Sequence, residues 1–378
     1  MIPTFKRHQL EESFFIMPEF RHTISRILQS ERTSPWLFPL LLISFLYRGC
    51  AGVRNLLYDA GIFKVRKLAC KVISVGNITV GGTGKTPMVI LLADILREKG
   101  YRPAILSRGY GGKKKRRVNI VSDGKNLLMH PAKAGDEPAL IAKSVMSVPV
   151  VTGKKRYLTG KFAIEHFGVD VLILDDAFQH RSLFRDIDIA LLDDKKPFGN
   201  GFMIPRGELR EPGNGLRRAD IVIVTGTEKT EVRDGRPDLG GIPSGSHIFE
   251  AYRKPVALFG GSPIDVHPLE CLHGKKIFAF AGIAKPDSFL RTIEFLGDPL
   301  VGFIDFPDHH VYTQEDVIKI RTAAAESSAQ IILTTEKDGI KLIDFPDFLR
   351  EIYQLRIEME ILPSQERFED VLLERIRI

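Results

Sequence analysis

The sequence predicts an α/β protein: a doubly wound, mainly parallel sheet over most of the chain, with a second, smaller α/β domain toward the C terminus. Three observations lead there. Short apolar runs rich in β-branched residues alternate with segments of helical apolar spacing, the alternation that builds parallel sheets. The first of these runs enters a glycine-rich turn and then a helix, Ser74-Val-Gly-Asn-Ile-Thr-Val-Gly-Gly-Thr-Gly-Lys-Thr-Pro87. A second alternating series begins near Ile277, beyond a polar stretch at 225–245 that is rich in glycine, proline and charge and reads as a surface excursion near a domain boundary. The expected organisation is a leader at 1–33, an apolar N-terminal helix region at 34–67, a core domain at 68–245, an extended connector at 246–270 and a C-terminal α/β domain at 271–378.

Composition narrows the function. The chain has 378 residues, enough for two domains at about 150 residues each. Its 44% hydrophobic and 27% charged residues are ordinary for a folded soluble protein. Three cysteines, Cys50, Cys70 and Cys271, lie far apart, so neither a disulfide framework nor a cysteine metal site is expected. A net charge of +7 favours acidic partners: nucleic acid, anionic lipid or phosphorylated substrates. No basic stretch interleaved with aromatics is present, so nucleic acid is not expected, and no obligate protein partner is predicted.

The leader is mixed and charged, and lacks the apolar region and cleavage site of a signal peptide. Residues 36–47 form the most apolar run of the chain, shorter than the ~20 residues that span a bilayer. Arg48, Arg54, Lys64, Arg66, Lys67 and Lys71 follow it, opposed only by Asp59. Aromatic ends, an apolar body and trailing cations suit a helix lying in a membrane interface. A helix packed on the protein core has the same pattern, and periodicity does not separate the two.

The glycine-rich turn carries the strongest chemistry. Glycines at 76, 81, 82 and 84 let backbone N–H groups converge on one point, and the following helix adds its own free N–H groups and positive dipole end. Lys85 can reach the β and γ phosphates of a nucleotide, and the Thr86 hydroxyl can ligate Mg²⁺. The strict phosphate-loop pattern has glycine where this chain has Thr79. Thr79, Val80, Gly81, Gly82, Thr83, Gly84, Lys85 and Thr86 are therefore the expected nucleotide-binding residues; the bland reading is an ordinary glycine-rich turn.

Further along, the run 169–174 ends in Asp175-Asp176. A buried strand ending in acids, across from a phosphate loop, is what a Mg²⁺-nucleotide site needs; a turn or helix cap is the alternative. Arg210 and Glu211, in a segment held by Pro212, suit phosphate contact and metal or ribose contact respectively. Ser107-Arg-Gly-Tyr-Gly-Gly112 leaves another strand on the ligand edge. The basic run 113–117 reads as a solvated hairpin tip or as a phosphate or membrane contact, and Lys154, Lys155, Arg156 and Lys161 decorate a helix. Asp136 and Glu137 open a helix, where a cap is the simple reading. His309 lies in a turn after a strand; such a histidine is either solvated or placed to exchange protons. Lys337 and Asp338 are read as structural.

Taken together, these motifs resemble the tetraacyldisaccharide 4′-kinase family, the lipid A kinases of Gram-negative bacteria. The resemblance rests on Ser34-Pro-Trp36, the loop up to Pro87, Leu106-Ser-Arg-Gly-Tyr-Gly-Gly112, Gly135-Asp-Glu-Pro138, Leu174-Asp-Asp-Ala-Phe-Gln-His180 and Leu209-Arg-Glu-Pro212. It continues in Phe280-Ala-Gly-Ile283, Phe306-Pro-Asp-His309 and Thr335-Glu-Lys-Asp338. Ala177 stands where glycine is usual. The resemblance implies a P-loop NTPase-like core with a membrane-associated N-terminal helix and a smaller C-terminal domain. It implies transfer of the ATP γ-phosphate to the 4′-hydroxyl of an acylated disaccharide 1-phosphate at the cytoplasmic face of the inner membrane. Lys85 would be catalytic, Arg210 would bind the nucleotide, and Thr86, Asp175, Asp176 and Glu211 would hold Mg²⁺. Asp136 and His309 would together activate the acceptor hydroxyl, meeting only when the domains close over substrate. The rival is a nucleotide switch or a partition or metallochaperone-type ATPase. Those proteins carry a lysine just before the first loop glycine that reaches across a dimer; here that position is Val80.

Overall fold

In the computed structural model, residues 35–377 are described, except 111, 113–115, 227–245, 261–264 and 298. The leader, much of the basic run at 113–117 and nearly all of the polar stretch at 225–245 lie outside the described residues.

The described residues open with a short 3-10 turn, Pro35–Leu37, and helix α1 (Phe38–Asp59). Strand β1 (Lys71–Asn77) and helix α2 (Lys85–Glu98) flank the glycine-rich turn. Then come β2 (Pro103–Ser107), β3 (Asn119–Ser122), the short α3 (Pro131–Ala134), α4 (Asp136–Ser144), β4 (Val150–Thr152), α5 (Arg156–Phe167) and β5 (Val171–Leu174). After β6 (Ile187–Asp193) and β7 (Ile221–Gly226), the long β8 (His247–Gly260) and the short β9 (Val266–His267) lead into the second part. That part holds β10 (Ile277–Ala281), α6 (Pro286–Leu296), β11 (Leu300–Asp305), α7 (Gln314–Glu326), β12 (Ile331–Thr335), α8 (Glu336–Lys341), α9 (Pro346–Leu349), β13 (Ile352–Leu362) and α10 (Gln365–Arg377).

Among the described residues all the strands belong to one sheet, in the order β11-β10-β12-β13-β8-β7-β6-β1-β5-β2-β4-β3, with β9 on β8. The strand pairs are parallel except β3 with β4, β8 with β9, and β8 with β13. The stretch expected as a connector is therefore mainly a strand bonded on both sides. Its first residues pair with β7 in parallel, His247 to Tyr252, and the segment from Glu250 to Gly260 pairs with β13 in reverse. β8 runs on past the end of β7, and the strands beyond it point back. The C-terminal edges of the two sets of parallel strands thus face each other, which brings both ligand edges to one cleft.

Apolar alternation explains the layers. β1, β5, β6 and β7 are buried nearly throughout, as central parallel strands are. Helix α10 returns to the first part: Phe368, Leu372 and Ile376 join the cluster that holds Leu96 and Ile221. Helix α1 behaves differently. It runs 22 residues, well beyond the expected apolar run, and is long and apolar enough to cross a membrane. Only Ser44 and Ala51 are buried, while Phe38, Leu42, Ile43, Phe45, Leu46, Val53 and Leu56 are exposed. That is not how a core helix packs, and it is compatible with peripheral membrane association. Its inner face is tied down by polar groups. Ser44 Oγ lies 2.8 Å from Met203 O and accepts the Arg206 N–H at 2.9 Å, and Tyr47 Oη donates to Arg210 O at 3.0 Å.

Candidate active site

β1 delivers the phosphate loop to the cleft. Gly76 is there because of space: a Cβ on it would stand 2.7 Å from Phe178 Cβ and N. The loop is pinned at its flanks. Val80 N–H donates to Glu208 O at 2.7 Å, and Thr79, almost fully buried, bridges Leu209. Asn77 Nδ2 donates to Thr83 Oγ1, and Thr225 Oγ1 to Thr83 O, each at 3.0 Å. Between the pins the loop is open: nothing stands within 4 Å of a Cβ on Gly82. Helix α2 starts after Gly84, at φ +84, with no side chain capping its free N–H groups. These donors fit an anion.

Asp175 and Asp176 follow β5, the neighbour of β1. Asp176 has φ +48, a region sparsely used by residues other than glycine and enriched at functional sites. Because that conformation falls on Asp176, Ala177 needs no glycine. Arg210 Nη1 donates to both Asp176 oxygens, at 2.7 and 2.9 Å, and Lys85 Nζ lies 3.7 Å away. Burial works to raise the pKa of Asp176, but Lys85 and Arg210 outweigh it and hold the carboxyl below the usual range. Asp175 goes the other way: burial first, then the charges of Glu137 and Asp176, push it up, although Ser107 Oγ donates to it at 2.9 Å. A carboxylate raised by burial and like charge is a place where a cation fits. Among the described residues no three acidic, histidine or cysteine side chains converge on one point. Two adjacent carboxylates beside the loop, Asp175 and Asp176, fit Mg²⁺, which takes one or two carboxylates and completes its shell with water and substrate phosphates.

Glu211 is placed differently from the other expected metal ligands. It is fully buried, and Arg218 Nη2 donates to its two oxygens at 3.0 and 2.9 Å, with Gln179 Nε2 at 2.8 Å. Its lone pairs are committed within the protein. Arg156 corrects the sequence reading: it does not decorate a helix surface but is buried, donating to Gly153 O and to Asp175 O at 2.8 and 3.0 Å.

The second centre joins the two parts of the sheet. Gly135, not Asp136, is the N-cap of α4, and no side chain caps that helix. The Asp136 carboxylate instead meets His309, with Oδ2 to Nδ1 at 3.0 Å. The two groups are therefore in contact already, without the closure that was expected to bring them together. His309 has φ +59, and its ring lies 5.9 Å from that of Tyr110, from the loop leaving β2. Lys337 joins the parts beside it, 3.2 Å from Asp308 and 3.9 Å from Glu137. Burial opposes ionisation of Asp136, but the His309 hydrogen bond and the charges of Lys341, His309 and Lys337 more than offset it and lower its pKa. Lys341 is itself buried, bonded to Asp338 at 2.6 Å and to Gly282 O at 2.9 Å. The two centres are near neighbours, since Glu137, adjacent to Asp136, acts on Asp175.

A glycine-rich loop facing paired aspartates, with a carboxylate–imidazole contact close by, has the make-up of a P-loop kinase rather than of a nucleotide switch. Residues 36–377 match the family model described as tetraacyldisaccharide-1-P 4′-kinase. The tetraacyldisaccharide 4′-kinase of Syntrophus aciditrophicus is 51% identical over 358 residues, covering 91% of this chain and 94% of the relative. That of Desulfatibacillum aliphaticivorans is 40% identical over 347 residues, 90% and 92% of the two chains. The crystal structure of LpxK from Aquifex aeolicus in complex with ATP is similar at a TM-score of 0.72 and 34% identity, over 90% of this chain and 98% of that one. The chain belongs to the tetraacyldisaccharide-1-P 4′-kinase family, the kinases of lipid A biosynthesis.

Proposed function

We propose that this kinase moves the γ-phosphate of ATP to the 4′-hydroxyl of a tetraacyldisaccharide 1-phosphate held at the cytoplasmic face of the inner membrane. The observation that carries the reading is the Asp136–His309 contact beside the phosphate loop. Phosphoryl transfer needs alignment and charge neutralisation more than covalent help. The loop N–H groups, Lys85 and Arg210 hold the phosphates. Thr86, Asp175 and Asp176 would hold Mg²⁺, which when bound neutralises charge on the phosphate oxygens. His309 takes the proton of the sugar hydroxyl, and Asp136 fixes the ring and stabilises its charged form. Glu211 keeps the Arg210 loop in place through Arg218 and Gln179. Helix α1 lies in the interface, where the acyl chains keep the acceptor at ~0.8 kcal/mol per buried CH₂.

The test is transfer of labelled γ-phosphate with and without the tetraacyldisaccharide 1-phosphate, in wild type and Lys85→Ala. Acceptor-dependent label in the lipid product, lost in a folded Lys85→Ala protein, is expected. Hydrolysis of ATP that ignores the acceptor would return the chain to the switch reading.

A further inference from the structure

The second part of the sheet brings another cation to the phosphate loop. Lys285 lies between β10 and α6, on the C-terminal edge that faces the first part. Its Cε is 3.8 Å from the point where a Cβ on Gly81 would stand, so its stem crosses over the loop. Gly81 has φ +111, a backbone that leaves the loop open toward that stem. The ammonium rests on Asp193, with Nζ to Oδ2 at 2.6 Å and about a third of the lysine side chain exposed. Asp193 ends β6, the strand beside β1.

Lys285 is not the only partner of this carboxylate. Asp193 Oδ1 accepts the backbone N–H groups of Lys195 and Lys196, each at 3.1 Å. Two backbone bonds therefore still hold Asp193 Oδ1 when Lys285 leaves Oδ2. At the other end of the loop lies a second cation, Arg253. The stem of Arg253 passes 4.0 Å from a Cβ on Gly84, and its Nε is buried without a hydrogen-bond partner among the described residues. Positive charge from Lys285 of the second part and from Arg253 of β8 thus borders the loop at Gly81 and Gly84, beyond what Lys85 and Arg210 supply. Lysine suits a movable role, being a point charge on a flexible four-carbon stem.

We propose that Lys285 leaves Asp193 when nucleotide arrives and binds its polyphosphate from the side opposite Lys85, with Asp193 holding the lysine in the empty enzyme. The proposal rests on the nucleotide reading above. It gives this chain, from within itself, an ammonium next to the first loop glycine, the place where the partition-type ATPases carry a lysine that crosses a dimer and where Val80 stands here.

The experiment is calorimetric titration of the full chain in detergent micelles with ATP, ADP and AMP, without acceptor. Lys285→Ala and Lys285→Gln should weaken ATP roughly 10-fold or more and AMP less, and Lys285→Arg should restore most of the loss. Asp193→Asn removes the competing carboxylate, so ATP should bind as tightly as to wild type or more tightly. Melting curves confirm that each variant is folded. Wild-type ATP affinity in both Lys285→Ala and Lys285→Gln overturns the proposal. So does an Asp193→Asn protein weakened as much as Lys285→Ala, since a pair that only pins the two parts together would respond equally to loss of either member. A wild-type chain that binds no ATP would instead sink the nucleotide reading itself.

Discussion

Asp175 and Asp136 stand at the same cleft, yet their surroundings are opposite. Asp175 is fully buried with like charges around it, and its carboxyl is pushed up. Asp136 is half-buried with His309, Lys337 and Lys341 around it, and its carboxyl is held down. At Asp175 burial and like charge disfavour the ionised carboxylate. The Asp136 site is complete, with its imidazole partner already in contact. Burial alone does not decide the charge state of a carboxylate; the sign of the neighbouring charge does. The difference is the one that the proposed roles, ion holding for Asp175 and proton transfer for the Asp136–His309 pair, would require.

The most damaging way to break the comparison is at the completed pair. Asp136→Asn and His309→Ala should each cut single-turnover transfer ~10²–10⁴-fold, while melting temperature at neutral pH should fall only by the part that the lowered Asp136 pKa contributes, with no cap to lose. If the two act as a unit, the double variant should be little worse than the worse single one; multiplicative losses would reject the pair. Next comes Asp175→Asn. Transfer should fall ~10²–10³-fold, the scale of losing one preorganised electrostatic contact. Stability without nucleotide should rise, by about 2 °C in melting temperature. The sign follows from linkage: the folded pKa of Asp175 lies above the unfolded value of ~3.9, so its ionisation disfavours the fold as pH rises through and beyond that value. The gain should vanish below about pH 4, and a loss of stability at pH 7 would reverse the assignment.

Asp136 has the opposite sign. Its depressed pKa stabilises the fold above the unfolded value of ~3.9, and this is lost as pH falls through the lower folded value. Lys337→Met removes one of the charges holding it down. The acidic limb of the pH–rate profile should move to higher pH, with less than about a tenfold change in rate at neutrality, because the lysine is partly exposed. The smallest effect on chemistry belongs to α1. Leu42→Glu with Leu46→Glu, both on exposed positions, should leave the melting temperature unchanged while lowering sedimentation with anionic vesicles. Wild-type binding should itself weaken at high salt. Undiminished vesicle binding by the double variant would count against the interfacial face.

What could be read from the sequence was local. The phosphate loop, its strand and its helix follow from glycine and lysine spacing over a few residues, and the twin aspartates from their place after an apolar run. Long-range pairing was not legible. β13 has apolar residues at 355, 357, 359 and 361 alternating with charge at 356, 358 and 360, a plain strand signal. Nothing in it says that the strand pairs in reverse with β8 and so joins all the strands into one sheet. Arg156 sits in a basic run with Lys154 and Lys155, and its acceptors are backbone carbonyls that leave no sequence mark. Asp136 and His309, 173 residues apart, came only from family resemblance. The positive φ of Asp176 and His309 likewise had no signal, since neither is a glycine.

Helix α1 and the segment carrying Arg210 form one hydrogen-bonded unit through Ser44 and Tyr47. On a lipid surface such a mounting sets the height of the reaction centre above the headgroups by the length of a few side chains, not by a floppy tether. A kinase held this way searches in two dimensions. Its working concentration is the mole fraction of acceptor in the surface rather than the amount in the tube. Diluting the acceptor with inert lipid slows such an enzyme even when every molecule of acceptor is still present.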